Sequence, residues 1–259
     1  MTAIQPWGVF MTVDIIGGGK REAVCADIIK KKGKSIGFSK IVIFPIPSSR
    51  DKRTVTGTDI ELSGLISEDM RGTLYIGFDF PIAFVSSLKE RGGAVADVVS
   101  SEYFTNENAR LTAECTLLHI MKEGEVSVKG MKIAIVGYGR IGKRLLEILL
   151  FFGASPKVLT RSESTRMELI FSGVDAGLVA DAELSDFDLI VNTAPSSLFS
   201  ARQSDTARCE VLELAPGENL PYMKKVTRLP SLPAKALPVS GGRIYAESAL
   251  EVLMEEGEF

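Results

Sequence analysis

The segment from Met131 to Gly142, MKIAIVGYGRIG, constrains the fold of this chain more than any other feature of its sequence. Apart from Lys132, residues 132–136 are apolar and mostly β-branched, which is typical of a buried strand, and apolar residues recur at helical spacing after the segment. In a GxGxxG turn, Gly137 permits the tight turn, Gly139 lets the backbone approach a pyrophosphate, and Gly142 lets helix and strand pack closely. The helix N-terminus also favours an anion. The segment predicts a dinucleotide site; the alternative is a glycine turn that merely closes a strand. The predicted contacts from this segment are Gly137, Gly139, Arg140, Ile141 and Gly142.

The next strand, 157–159, indicates which dinucleotide is bound. NAD-selective folds usually place Asp or Glu at the end of this strand to bond the ribose 2′-OH. Here the strand is followed by Thr160, Arg161 and Ser162, a hydroxyl, a guanidinium and a hydroxyl that would receive a 2′-phosphate instead. Arg140 would add a second positive group on the same side. The sequence therefore predicts that the cofactor is NADP. The alternative is that Arg161 is a solvated loop arginine that stacks on the adenine.

Composition excludes several classes of function. The 259-residue chain is 45% hydrophobic and 24% charged, with a net charge of −3, which argues against a nucleic-acid-binding surface. Three scattered cysteines and one histidine form neither a disulfide framework nor a His-based metal centre. The first residues lack the features of a signal peptide, and no apolar helix is long enough to span a bilayer. We therefore expect a soluble, cytoplasmic protein that binds no metal, nucleic acid or membrane.

Strands and helices alternate along the whole chain. This pattern predicts an α/β fold of two Rossmann-like domains, the second a doubly wound parallel sheet binding a dinucleotide, joined by a long linker helix. The triple glycine Gly17–Gly19 could be a second phosphate cradle, but its spacing favours a simple turn. The predicted parts are an α/β substrate or partner domain (1–105), the linker helix (106–129), an NADP-binding Rossmann domain (130–242), and a C-terminal helix that could pack on the first domain (243–259).

Further site candidates follow the strands, because ligands of open α/β sheets bind beyond the carboxyl ends of the strands. Asn192, Thr193 and Pro195 stand where short polar groups can bond the cofactor ribose or nicotinamide; an Asx-type turn before Pro195 is the alternative. The Pro/Gly-rich segment 230–242 is expected to be a loop that closes over the site, with Lys235 among its polar members.

The single histidine disfavours one common mechanism. His119 precedes the nucleotide-binding segment, whereas dehydrogenases of 2-hydroxy acids typically use a histidine that follows it. Acid–base chemistry would then fall to Glu114, Lys235, a tyrosine or bound water.

Motifs in both halves of the chain resemble the A-type polypeptide of dipicolinate synthase from spore-forming bacteria. The stretch 15–21 is similar to the family's IGGDxR turn, and 108–115 is similar to its NxxPTxEG motif, with Thr112 and Glu114 matching. Residues 137–142 are similar to the family's GxGRxG motif, residues 160–162 to its ARS motif, and residues 192–195 to its NTIP motif. The closing GLPGxxAPKTAG motif departs most, because several of its residues are replaced within 231–242. The chain is thus expected to be a divergent member.

The resemblance implies a function. The family oxidises a dihydrodipicolinate or hydroxytetrahydrodipicolinate precursor to dipicolinate with NADP during sporulation, alongside a flavoprotein-like B subunit. Candidates to hold the small dicarboxylate substrate are then Arg21, Arg110 and Lys235, with Thr112 and Glu114 orienting its ring. The alternatives are a dehydrogenase of another imino or amino acid, or an NADP-binding partner subunit with little activity of its own. Whether the chain forms a homo-oligomer is left open by the sequence.

Overall fold

A computed structural model describes residues 11–32, 37–196, 199–217 and 219–255. The chain divides into unit 1, Met1–Glu107 with Leu237–Phe259, and unit 2, Asn108–Ala236. In chain order the strands are β1 (Thr12–Ile15), β2 (Lys40–Ile43), β3 (Thr73–Gly77), β4 (Ala94–Asp97), β5 (Lys132–Val136), β6 (Ser155–Thr160), β7 (Ala176–Leu178), β8 (Leu189–Asn192), β9 (Glu210–Glu213) and β10 (Val226–Arg228). The helices are α1 (Lys20–Lys32), α2 (Ile82–Glu90), α3 (Glu102–Glu123), α4 (Arg140–Phe151), α5 (Glu163–Phe171), α6 (Ala201–Thr206), α7 (Leu232–Ala236) and α8 (Pro238–Glu255).

Unit 1 is built on a parallel sheet in the order β1-β2-β3-β4. One face carries an aromatic core in which the rings of Phe44, Tyr75, Phe80 and Phe84 contact one another. Helices α1 and α8 pack together in the same unit. The hydroxyl of Tyr245, on α8, lies 3.0 Å from the carbonyl oxygen of Phe44 and 3.1 Å from that of Ile76, so it ties α8 to the ends of two neighbouring strands.

Unit 2 is built on a parallel sheet in the order β10-β9-β8-β5-β6-β7. The order reverses between β5 and β8, which is where doubly wound sheets bind their ligands. Apolar cores cover both faces: one contains Leu145, Leu149 and Leu169 from α4 and α5, and the other contains Leu184 and Phe199. The predicted fold class is confirmed.

The long helix differs from the predicted linker helix 106–129 in its bounds. Helix α3 begins at Glu102, because the Ser101 hydroxyl accepts a hydrogen bond from the Phe104 backbone N–H (2.9 Å) and caps the first turn. It ends at Glu123, before Gly124. Residues 124–129 are therefore not helical, and α3 crosses the boundary between the two units.

The prediction that residues 230–242 form a closing loop is wrong. Most of this segment is helical: Leu232–Ala236 forms α7, and α8 starts at Pro238 instead of 243. Proline is tolerated in the first turn of a helix, where its missing N–H would have no partner. A Cβ on Gly242 would lie 2.4 Å from the Arg21 carbonyl oxygen and 2.6 Å from Val24 Cβ, so the glycine allows α8 to approach α1. The last four residues of the predicted helix, 256–259, lie outside the described residues.

No helix in the described part of the chain is long and apolar enough to cross a membrane.

The contact at Gly242 predicts a stability change. Gly242→Ala should lower the free energy of unfolding by about 1–3 kcal/mol, because the clash with α1 outweighs the better helix propensity of alanine. Gly64→Ala is the matched control, since a Cβ there meets nothing within 4 Å. Urea unfolding of both variants checks this. Equal stabilities for G242A and G64A would contradict the close packing.

Candidate functional site

The glycine turn after β5 has two glycines that the fold itself requires. Gly137 has a φ of +94°, a left-handed conformation that favours glycine, and its added Cβ would lie 2.9 Å from Thr193 Oγ1. A Cβ on Gly142 would lie 2.3 Å from the Gly137 carbonyl oxygen. A Cβ on Gly139, in contrast, would meet nothing within 4 Å. The protein needs the outer two glycines for its own packing, while Gly139 leaves open space at the N-terminus of α4.

The glycine turn forms the first wall of a cavity, and the residues at the end of β6 form the second. The Thr160 hydroxyl, which is buried, accepts a hydrogen bond from the Ser162 N–H (3.1 Å). The Ser162 hydroxyl in turn accepts from the Thr165 N–H (3.2 Å) and caps α5. Arg161 lies between these fixed residues and is exposed. The two hydroxyls therefore fix the backbone on either side of Arg161. The guanidinium of Arg161 extends from the point where the positive end of the α5 helix dipole also lies.

The third wall follows β8. Both the backbone N–H and the hydroxyl of Thr193 donate to the carbonyl oxygen of Val136, each over 2.9 Å, which fixes this wall to β5. A cavity of about 450 Å³ lies between the three walls. Its lining residues are Gly137, Tyr138, Gly139, Leu159, Thr160, Arg161, Ser162, Thr193, Ala194 and Pro195.

The cavity brings together most of the predicted cofactor-binding residues, but not all of them. Among the described residues of its lining, Arg161 is the only charged one. Arg140 and Ile141 form the first turn of α4 and do not line it, so side-chain contacts from them stay a prediction. Gly142 acts through the packing of α4 instead.

Asn192 is buried and its side chain is used within the protein. Its Oδ1 accepts from the Ala194 N–H (3.2 Å), so the Asx-type turn is formed, and its Nδ2 donates to Glu213 Oε1 (2.9 Å). The predicted direct bond from Asn192 to the cofactor is therefore less favoured than a role in holding the turn that carries Thr193.

Glu213, at the end of β9, is bonded to Asn192 behind the third wall and was not predicted from the sequence. Its side chain is 3% exposed, and its Oε1 accepts from Asn192 and from the Ala215 N–H (3.2 Å). Its Oε2 is buried without a hydrogen-bond partner among the described residues. Burial raises the pKa of the carboxyl, and the hydrogen bond from Asn192 opposes this shift in part. The signal in the sequence was a glutamate ending an apolar strand, Glu210–Glu213.

The predicted catalytic residues of unit 2 lie away from the cavity lining. Thr112 is buried on α3, where its hydroxyl donates to the Asn108 carbonyl (2.6 Å). Glu114 is half-buried and forms an ion pair with Arg110 one turn earlier. Lys235 is exposed on α7, not on a loop. His119 is half-buried on α3.

Arg21 lies in unit 1 and is 6% exposed. Its Nε donates to Glu22 Oε1 (2.8 Å), and the other oxygen of Glu22 accepts from the Gly19 N–H (2.7 Å). A glutamate of the chain itself therefore occupies the glycine turn at the start of α1. This arrangement supports the simple turn over a second phosphate cradle.

Among the described residues, no group of three His, Cys, Asp or Glu side chains could hold a metal ion.

Known proteins resemble this chain in sequence and in structure. No family model matches the sequence. Over 162 residues the chain is 26% identical to the A-type polypeptide of dipicolinate synthase of Bacillus subtilis (strain 168), an alignment that covers 57% of this chain and 54% of that protein. The match thus spans about half the length of the curated relative.

The solved structures extend the likeness of fold to nearly the whole chain. The crystal structure of the A-type polypeptide of dipicolinate synthase from Bacillus halodurans has a TM-score of 0.75 at 20% identity, covering 93% of this chain and 97% of that one. The predicted resemblance to this polypeptide is confirmed. A transhydrogenase from Sinorhizobium meliloti has a TM-score of 0.64 at 16% identity, covering 95% of each chain. The chain therefore shares its fold with these two proteins.

The buried carboxyl of Glu213 predicts a pH dependence of stability. Because its pKa is raised, the folded protein keeps this proton at pH values where the unfolded chain has released it. The resulting stabilisation is complete below the ordinary glutamate pKa and is lost as the pH rises through the raised pKa. Glu213→Gln cannot titrate, so its free energy of unfolding should gain on that of the parent protein as the pH rises across this window.

Urea unfolding at a series of pH values measures this difference. Glu168→Gln, an exposed position on α5, is the control and should follow the parent protein throughout. If E213Q and the parent protein stay parallel over the whole window, Glu213 is not a buried titrating group.

Proposed function

We propose that unit 2 binds NADP and that the protein is an NADP-dependent oxidoreductase related to the A-type polypeptide of dipicolinate synthase. The observation that carries the proposal is the cavity at the ends of β5, β6 and β8, whose described lining holds one guanidinium and no carboxylate. The open space beside Gly139 and the N-terminus of α4 suit a pyrophosphate. The wall of Thr160, Arg161 and Ser162 suits the adenosine end of the cofactor.

The preference for NADP rests on charge at the end of β6. A carboxylate at this point would bond a ribose 2′-OH and repel a 2′-phosphate. Arg161 instead offers charge-assisted hydrogen bonds to a phosphate, and the capped start of α5 adds its positive end. The two fixed hydroxyls of Thr160 and Ser162 hold the backbone, so that Arg161 extends from a rigid support.

The proposed reaction is oxidation of a dihydrodipicolinate or hydroxytetrahydrodipicolinate precursor to dipicolinate. A hydroxytetrahydrodipicolinate precursor must first lose water to give the dihydro form. NADP, when bound, would then supply the acceptor for the hydride that leaves the ring carbon, while a protein group or water takes the proton. We assign the role of proton acceptor to Glu114, which is half-buried on α3. Thr112 is the residue that the resemblance offers for orienting the ring, but it is the weaker candidate, because its buried hydroxyl already donates to the Asn108 carbonyl. The similarity to the Bacillus subtilis relative supports this substrate class.

The contacts within each unit rank the candidates for binding the substrate carboxylates. Arg21 is buried and already bonded to Glu22, so its first role is to hold the start of α1. Lys235 is exposed, and Arg110 is partly exposed beside Glu114. We therefore favour Lys235 and Arg110 over Arg21. The proposed setting is the cytoplasm of a spore-forming cell, where the partner is a flavoprotein-like B-type subunit.

The second candidate keeps the NADP site but not the dipicolinate reaction: the chain is then either a partner subunit with little activity of its own or a dehydrogenase of another imino or amino acid. The segment 230–242 favours this second candidate, because several residues of the family motif are replaced there and the segment forms α7 and the start of α8. These changes concern the substrate side more than the cofactor side.

The cofactor proposal predicts the behaviour of Arg161→Asp. This variant should bind NADP about 10- to 100-fold more weakly, because it loses a charge-assisted hydrogen bond and gains repulsion. Its affinity for NAD should hold or improve. Calorimetric titration with both dinucleotides measures the ratio, and Arg208→Asp, at another arginine of the same unit that lies outside the cavity lining, is the control. A ratio of affinities that does not change in R161D would show that the 2′-phosphate is not bound by Arg161.

The substrate proposal predicts turnover. The protein with NADP and freshly formed dihydrodipicolinate, with and without a B-type subunit, should produce reduced cofactor, followed by its absorbance. Glu114→Gln should lower kcat by at least about 10-fold while leaving NADP affinity unchanged. Intact NADP binding without turnover in either combination would reject dipicolinate formation and favour the second candidate.

A further inference from the structure

The first wall of the cavity carries one large side chain, that of Tyr138, between Gly137 and Gly139. Tyr138 is half-buried and packs against the apolar core that contains Leu145 of α4. The tyrosine is therefore fixed on one side by the core while it lines the cavity on another. A side chain held in this way presents a rigid surface to a ligand, because it has little conformational freedom left to lose on binding.

A lysine of α4 lies over the face of this ring. The Nζ atom of Lys143 is 5.3 Å from the centroid of the Tyr138 ring. An ammonium is attracted to an aromatic face within about 6 Å of the centroid. Lys143 stands one turn into α4, where its N–H donates to the Gly139 carbonyl (2.9 Å), and helical side chains lean toward the N-terminus of their helix. The ammonium therefore lies back at the glycine turn.

The ammonium of Lys143 makes no ion pair with any residue that the structure describes. The next residue, Arg144, differs in this respect, because it pairs with Glu147 over 2.9 Å. Arg161, on the second wall of the cavity, also makes no ion pair with a described residue. Positive charges without a carboxylate partner thus border the cavity on two of its walls, which favours a ligand that carries several negative charges.

We propose that Tyr138 contacts the diphosphate bridge of a bound dinucleotide and the ribose beside it, and that Lys143 is the positioning residue for this contact. The contact presupposes that unit 2 binds NADP as proposed. The open space beside Gly139 receives the diphosphate, and Tyr138 is the adjacent residue of the lining. Lys143 holds the ring in place and, through the ring, keeps a positive charge next to the diphosphate. It thereby supplies the second cation that the sequence assigned to Arg140, which does not line the cavity.

This role differs from the role of Arg161 in a way that can be measured. The diphosphate bridge is common to NAD and NADP, so the loss of Lys143 should weaken the binding of both dinucleotides by the same factor. The 2′-phosphate belongs to NADP alone, so a change at Arg161 should alter the ratio of the two affinities.

Calorimetric titration of Lys143→Met with NADP and with NAD tests the contact. Each affinity should fall about 3- to 10-fold, because the ring loses its cation and the start of α4 loses a positive charge, while the ratio of the two affinities stays unchanged. Methionine is a good helix former, so α4 should persist, and urea unfolding should show the stability of the parent protein. Lys143→Arg keeps a cation over the ring and should bind both dinucleotides nearly as the parent does.

Arg144→Met is the matched control. It removes the same charge from the next residue of the same helix, at an exposed side chain outside the cavity lining, and should keep the affinities of the parent protein.

A second pair of variants tests whether the lysine acts through the ring. Tyr138→Phe keeps the aromatic face and should bind both dinucleotides nearly as the parent does, whereas Tyr138→Leu should weaken both about 3- to 10-fold. Adding Lys143→Met to Y138L should then change the affinities by less than about 2-fold, because the cation no longer has a ring to hold.

Equal affinities of K143M and R144M, a full effect of K143M in the Y138L background, or a loss confined to NADP in K143M would each overturn this role for Lys143. The NADP proposal would survive these results as long as R161D still alters the ratio of affinities. A parent chain that binds neither dinucleotide would instead reject the NADP proposal and the contact together.

Discussion

The site depends on one close approach, that of α4 to the turn after β5. The Gly137 carbonyl oxygen lies only 2.3 Å from where a Cβ of residue 142 would be, so any side chain at Gly142 would push the helix away. Because the helix stays close, its first N–H groups point at the space left open by Gly139. Thr193 fixes the neighbouring wall by bonding twice to Val136, the last residue of β5. The cavity is therefore a consequence of how tightly one helix, one turn and two strands are packed.

Much of this could be predicted from the sequence because the information is local. Buried parallel strands appear as short apolar runs, and the spacing of three glycines specifies a turn that few other residues can form. Thr160, Arg161 and Ser162, at the end of β6, could also be assigned, since their position relative to the strand fixes their place in the cavity. Each of these inferences needs only neighbours in the chain.

What the sequence did not reveal depends on contacts between distant segments. The Pro/Gly-rich stretch 230–242 lacks helical periodicity, yet Gly242 is in a helix because α1 lies against it. The partner of Arg21 is its own neighbour Glu22, a pairing that becomes meaningful only when α1 starts at a glycine turn and both side chains are buried. The same holds for Glu213. Its apolar neighbours in the strand are visible in the sequence, but its hydrogen bond to Asn192 could not be predicted, because it requires β8 and β9 to be adjacent.

The pairing of Asn192 with Glu213 also bears on the role of the third wall. Since the asparagine amide is taken up by the Ala194 turn and by the carboxyl, the residues left to face the cavity are Thr193, Ala194 and Pro195, and the hydroxyl of Thr193 is itself bonded to Val136. This wall can therefore offer a ligand shape and backbone groups, but little side-chain charge. Binding energy from charge must come from Arg161 and the helix ends, which is why the end of β6 is expected to decide between the two dinucleotides.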